Sequence, residues 1–277
     1  MKKLLTAILA MCCLTSAFGQ LKTPQPSTGQ TVKQEFGLGS IELSYSRPNI
    51  KKRKIFGDIV PLDSVWRTGA NTATTLTFSE DVVIAGITVA AGKYGLLSIP
   101  RKKTWDIIIS KQTNVTSPSA YKKEMDVVRI AVEVIKVKKA VETFTIAFAN
   151  VLPSTLDLQI SWDKSTVSLP ILMETDAKVM AAIEQNMKSA KPEYFAAAVY
   201  YMQNDKDLNQ ALTWFNKAVE QQPDAFWIQH QWANCLAKLG KTQEAKAAAL
   251  RSKELAAKAG NNDYVKLNNK LLKQLDK

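Results

Sequence analysis

The residue types best suited to chemistry crowd into one stretch, Val65-Trp66-Arg67-Thr68-Gly69-Ala70-Asn71. Arg67 offers a planar fork of donors and Asn71 both donors and acceptors, so the segment suits an anion or a polyol. Trp66 adds a large amphipathic contact surface beside them. The same residue types also make a turn that stitches its own backbone, and the sequence leaves both readings open. Upstream, Arg47 closes the alternating run Ile41, Leu43, Tyr45 and completes a candidate ligand-binding set of Arg47, Trp66, Arg67 and Asn71. Between them, Lys51-Lys52-Arg53-Lys54 cannot all be buried; they form either a solvated loop or a positive rim beside Arg47 and Arg67.

Other chemistries find little footing. The single histidine, His230, stands far downstream, so neither a Ser-His-Asp nor a Cys-His nucleophile can be assembled around the central stretch. A histidine-rich metal site is excluded by count, and no calcium-loop spacing occurs. Gly37-Leu38-Gly39 opens a strand rather than a helix and reads as a turn, not a phosphate loop. Asp58 and Asp63 flank the central stretch, while Glu80-Asp81 reads as a turn. An envelope hydrolase acting on glycans or esters, with Asp58 or Asp63 as acid or base beside Arg67, is therefore the alternative to a binding role. No residue is assigned as catalytic or metal-ligating, and no cofactor is expected.

The chain as a whole sets the compartment. Met1-Lys2-Lys3, the apolar run Leu4 to Leu14, and Ala17-Phe18-Gly19 before Gln20 read as a signal peptide over residues 1–19. Cys12 and Cys13 raise a lipoprotein alternative, but Met11 occupies a position that wants a small residue. The run is too short and wrongly flanked for a membrane span, and no later segment qualifies. Cleavage would leave Cys235 alone, so the exported chain is expected to lack intramolecular disulfides. The formal charge is +12, with 20 basic and 13 acidic groups in residues 20–170 and 15 and 12 in residues 171–277. Such a surface attracts anionic glycans or headgroups; without an aromatic-interleaved basic stripe, nucleic acid is not expected. Localisation is read as periplasmic or extracellular.

The elements that must position these residues change character once. Residues 20–31, rich in Pro, Gln, Ser, Thr and Gly, read as a flexible lead-in. From Val32 onward about nine short alternating runs follow, divided by turns at Ala85-Gly86, Ala91-Gly92 and Arg101-Lys102-Lys103. Asp126 to Val137 reads as one long strand; Leu156 to Trp162 and Val167 to Ile171 read as two. With no helix between them, residues 32–172 predict an antiparallel β-sandwich or jelly-roll-like domain. From 173 to 277 the period is helical. Ala211, Phe215 and Ala218 ahead of Pro223 give small–large–small packing, and Ala245 lies 34 positions beyond Ala211. That period resembles the tetratricopeptide repeat, with copies near Pro192–Ala225 and Phe226–Ala259 and a closing helix from Asp263 to Leu275. The second copy departs from it, with Ala249 in the aromatic position and no terminal proline. The resemblance implies a concave face including Tyr200, Gln203, Trp227, His230 and Asn234, a candidate peptide or protein docking surface. Interhelix packing is the other use for those side chains, and Cys235 reads as a small core residue.

One further resemblance is more specific. Tyr45-Ser46-Arg47-Pro48, Lys54-Ile55-Phe56-Gly57, Val65 to Asn71, Ala91-Gly92-Lys93-Tyr94-Gly95-Leu96 and Ile99-Pro100 stand in one order and spacing. Over about residues 25–171 this is similar to the domain of unknown function 2911 family of exported bacterial proteins. The resemblance implies no activity and transfers no catalytic residue. The combined expectation is an exported two-domain protein of non-enzymatic character, taking an anionic or carbohydrate ligand in the β part and a protein partner on the helices.

Overall fold

A computed structural model describes residues 23–277; the stretch read above as a signal peptide, with its expected cleavage point, lies outside the described residues. The chain divides into two compact units between Thr175 and Asp176.

The first unit is an antiparallel β-sandwich, as the alternating runs require. Its strands are β1 (Thr28–Phe36), β2 (Gly39–Arg47), β3 (Thr75–Phe78), β4 (Val82–Ile84), β5 (Ile87–Val89), β6 (Gly92–Pro100), β7 (Thr104–Ser110), β8 (Asp126–Glu133), β9 (Ile135–Ala149) and β10 (Thr155–Leu172). A six-stranded sheet runs β1-β2-β3-β6-β7-β8 and a four-stranded sheet β5-β4-β10-β9. Ile41, Leu43 and Tyr45 of β2 and Trp105, Ile107 and Ile109 of β7 point into the shared core, where they meet Phe144, Ile160 and Trp162. Burying such side chains is the main force holding the two layers together.

Three boundaries differ from the sequence reading. β1 starts at Thr28, inside the stretch read as a lead-in, and pairs from Thr28↔Arg47 to Phe36↔Gly39. The segment from Asp126 to Val137 is two strands. Glu133 ends β8, Val134 donates to the Lys103 carbonyl at 2.8 Å, and the chain crosses to the other sheet as β9. The two runs after Leu156 are one strand, β10, bent by irregular register around Asp163, whose φ is +51°.

β6 is apolar along nearly its whole length because both its faces are covered. Leu96 faces the sandwich core, while Leu97 and Ile99 join Ile108 and Val115 in a smaller cluster on the outer face. The cover is the loop after β7. It crosses so close that a Cβ on Gly95 would stand 2.0 Å from the Gln112 carbonyl oxygen, so only glycine fits.

The second unit contains six helices among the described residues: α1 (Asp176–Met187), α2 (Tyr194–Gln203), α3 (Leu208–Gln221), α4 (Phe226–Lys238), α5 (Thr242–Lys258) and α6 (Asn262–Leu275). Asp207 caps α3 by accepting from the Asn209 amide, and Asn261 caps α6 by accepting from the Tyr264 amide. Ala211, Phe215 and Ala218 of α3 are buried, as are Ala245, Ala249 and Ser252 of α5 one 34-residue period later. No described helix is long and apolar enough to cross a membrane.

Candidate functional site

The chain from Val65 to Thr74 leads into β3 alongside β6 and is tied down almost group by group. Trp66 pairs with Ser98 of β6: its amide donates to the Ser98 carbonyl at 2.7 Å, and the Ser98 amide returns a bond at 2.9 Å. Its ring stacks on Trp162 at 5.9 Å and 17° and meets Phe144 edge-on at 5.1 Å. Its Nε1 donates to the Gly69 carbonyl at 3.0 Å. Thr68 is buried at φ +54°; its hydroxyl meets the Ser98 hydroxyl at 2.9 Å, and Thr74 Oγ1 donates to the Thr68 carbonyl at 2.7 Å. Asn71, at φ +55°, donates from Nδ2 to the Ser27 carbonyl at 2.9 Å. Most of the motif is thus a turn that satisfies its own polar groups.

Arg67 is the exception. It lines a cavity of about 360 Å³, within the size range of small-molecule sites. Nη1 donates to the Thr116 carbonyl, which fixes the guanidinium, while Nε is shielded from solvent and has no hydrogen-bond partner. Arg53 lines the same cavity, anchored by Nε on the Ile50 carbonyl at 3.0 Å and by Nη2 on the Asn49 carbonyl at 2.6 Å. Among the described residues neither arginine pairs with a carboxylate, and none of the cavity's lining residues is acidic. Much of the remaining wall is apolar, including Ile59, Pro61, Val65, Ala70 and Pro118, and Ser27, Thr116 and Ser117 are its uncharged polar residues apart from the two tryptophans.

Of the ligand-binding set, Trp66 and Arg67 line the cavity and Arg47 and Asn71 do not. Arg47 bridges the sheets: Nε donates to the Phe144 carbonyl at 3.2 Å and Nη2 to Thr145 Oγ1 at 2.9 Å. Asp58 is exposed, and Asp63 pairs with Arg101 Nε at 3.0 Å. Arg101 also grips Asp106 through two bonds of 2.6 and 3.0 Å, and those bonds hold the Asp106 carboxyl below its usual range. The far end of the covering loop is latched by Tyr121, which donates to Asp126 at 2.6 Å and accepts from Arg129. Burial, then the Asp126 bond, pushes the Tyr121 hydroxyl up to about 12. The loop segment Val115-Thr116-Ser117-Pro118 was not legible as part of a site; Val115, a lone apolar residue in a polar loop, is its only sequence signal.

In the helical unit the five docking candidates divide. Gln203 is exposed, and Trp227 is 39% exposed with its ring edge-on to Phe226 at 5.0 Å. The Tyr200 hydroxyl donates to Asp176 at 2.8 Å, and burial with that bond pushes it up to about 12. His230 is buried, its Nδ1 2.7 Å from Asn268 Oδ1, and Asn234 donates to the His230 carbonyl at 3.0 Å. Cys235 is buried, which pushes its thiol up to about 11, as a core residue requires.

Residues 27–171 match the model of the family described as "Protein of unknown function (DUF2911)". The chain belongs to this family. No curated protein and no solved structure matches it significantly. The DUF2911 match spans the strands of the β unit and contains every residue lining the cavity, and its description assigns no activity.

Proposed function

We propose that this DUF2911 protein is an exported binding and scaffold protein, acting in the periplasm or outside the cell, with a small-ligand site in its β unit. The reading rests on one observation: the Arg67 guanidinium is fixed in the wall of a cavity whose charged lining is wholly cationic. A cation held without a counter-charge in a partly desolvated wall favours an anionic guest, and the planar fork adds direction. The absence of any acidic residue from that lining leaves a carboxylate-based hydrolase without its acid and base at this site.

The helical unit is read as two tetratricopeptide-like repeats closed by α6, docking a peptide or protein partner. Helix pairs α2–α3 and α4–α5 with small buried residues at a 34-residue interval support it, and Gln203 and Trp227 are the docking candidates left open.

Thermal-shift screening of the full chain against organic acids, sulfate, phosphate and acidic and neutral sugars tests the β site. Arg67→Ala is expected to weaken any hit at least tenfold; unchanged affinity for every hit removes the site.

A further inference from the structure

We infer that the guest of this cavity is an amphipathic organic anion: one carboxylate on an apolar aliphatic or aromatic body, rather than a sugar. The inference rests on the cavity being a binding site and concerns what it selects.

The charged groups set the head. Arg67 and Arg53 are both anchored on backbone carbonyls, so each presents its remaining donors from a fixed position. A guanidinium held in this way suits a planar carboxylate, whose two oxygens can take neighbouring N–H groups.

The uncharged wall sets the body. Ile59, Pro61, Val65 and Pro118 offer hydrocarbon only, and Ile59 is 47% exposed at the rim, a large apolar surface for a guest to cover. A sugar carries a hydroxyl on nearly every carbon, and each one buried without a partner is penalised. The lining holds no Asn, Gln, Asp, Glu or His side chain to meet those hydroxyls. The Trp66 Nε1 proton already goes to Gly69, and the Ser117 hydroxyl is bonded to Ser119 at 3.0 Å. Beside the two arginines only Ser27, Thr116 and Ser117 bring hydroxyls to the lining, too few to replace the water on every sugar carbon, whereas an acid with an apolar tail gains at both ends.

Calorimetric titration of the full chain with octanoate, phenylacetate, phenylacetamide, glucuronate and inorganic phosphate tests this. Octanoate and phenylacetate are expected to bind, phenylacetamide at least tenfold more weakly than phenylacetate, and glucuronate and phosphate without measurable heat. Arg67→Gln should weaken both apolar acids at least tenfold. Ile59→Asp alters an exposed position without touching the core and brings a negative charge to the rim; it should weaken them similarly. Glucuronate or phosphate binding as tightly as octanoate, and dependent on Arg67, overturns the inference while leaving the site intact. No Arg67-dependent binding by any of the five probes overturns both. Unchanged octanoate affinity in a folded Ile59→Asp chain overturns the choice of body.

Discussion

Gly69 bears the strictest local demand in the cavity wall. Its φ is +156°, and a Cβ there would lie 3.0 Å from Thr74 Oγ1 and 3.1 Å from the Ser46 carbonyl oxygen. Neither neighbour is free to retreat. Thr74 donates to the Thr68 carbonyl, and Ser46 belongs to β2. Gly69→Ala is therefore expected to destabilise the β unit by about 1–3 kcal/mol, the usual cost of holding a side chain in so sparse a backbone region. Urea unfolding checks this, and a loss below about 0.5 kcal/mol, an ordinary surface effect, would show that the turn relaxes. Thr68 and Asn71 tolerate positive φ beside it because each is paid back in hydrogen bonds to neighbouring segments. At this scale Trp66, Thr68, Gly69 and Asn71 hold a turn, and Arg67 is what the turn presents.

Among elements, α4, α5 and α6 meet at Asn268, which is fully buried. Its Oδ1 accepts from His230 Nδ1 of α4 at 2.7 Å, and its Nδ2 donates to Ser252 Oγ of α5 at 2.8 Å and to the Tyr264 carbonyl of its own helix. Ser252 in turn donates to the Phe226 carbonyl at 2.7 Å. Asn268→Ala removes the hub, leaves His230 Nδ1 without the oxygen it bonds and takes from Ser252 the donor it accepts from, so a loss of about 2–4 kcal/mol is expected. His230→Ala removes one spoke and should cost less, which paired melts of the two variants would show. Sequence gave no hint of this hub, because an asparagine on a lysine-rich helix looks solvated until its neighbours are known. The same limit hid β1: as the sheet's edge strand it is mostly exposed, so Thr28 to Gln34 carries no apolar alternation strong enough to mark it. By contrast β2 and β7 were legible, since one face of each is buried and the period of two is written in Ile41, Leu43, Tyr45 and Trp105, Ile107, Ile109. The candidate site was half legible for a related reason. Trp66 and Arg67 stand out by type, but the wall opposite comes from Thr116, 49 positions away, and only folding supplies it.

For the whole molecule, the decisive feature is that each unit has its own apolar core. Trp105, Trp162 and Phe144 sit in one, and Phe215, Trp214 and Met202 in the other. The six tryptophans divide evenly: Trp66, Trp105 and Trp162 in the β unit, Trp214, Trp227 and Trp232 in the helical unit. Helical circular dichroism reports almost entirely on the second unit, since α1 to α6 all lie after Thr175. Two separate cores predict that unfolding is not one cooperative step. Ile107→Ala should cost the β unit about 2–5 kcal/mol and Phe215→Ala the helical unit about 3–5 kcal/mol. The expected pattern is that Phe215→Ala lowers the urea midpoint of the helical signal and leaves octanoate affinity at the Arg67 cavity unchanged. Ile107→Ala should do the reverse, lowering the denaturant concentration at which the ligand is released while the helical midpoint stays in place. If both substitutions move both signals together, the two cores act as one folding unit.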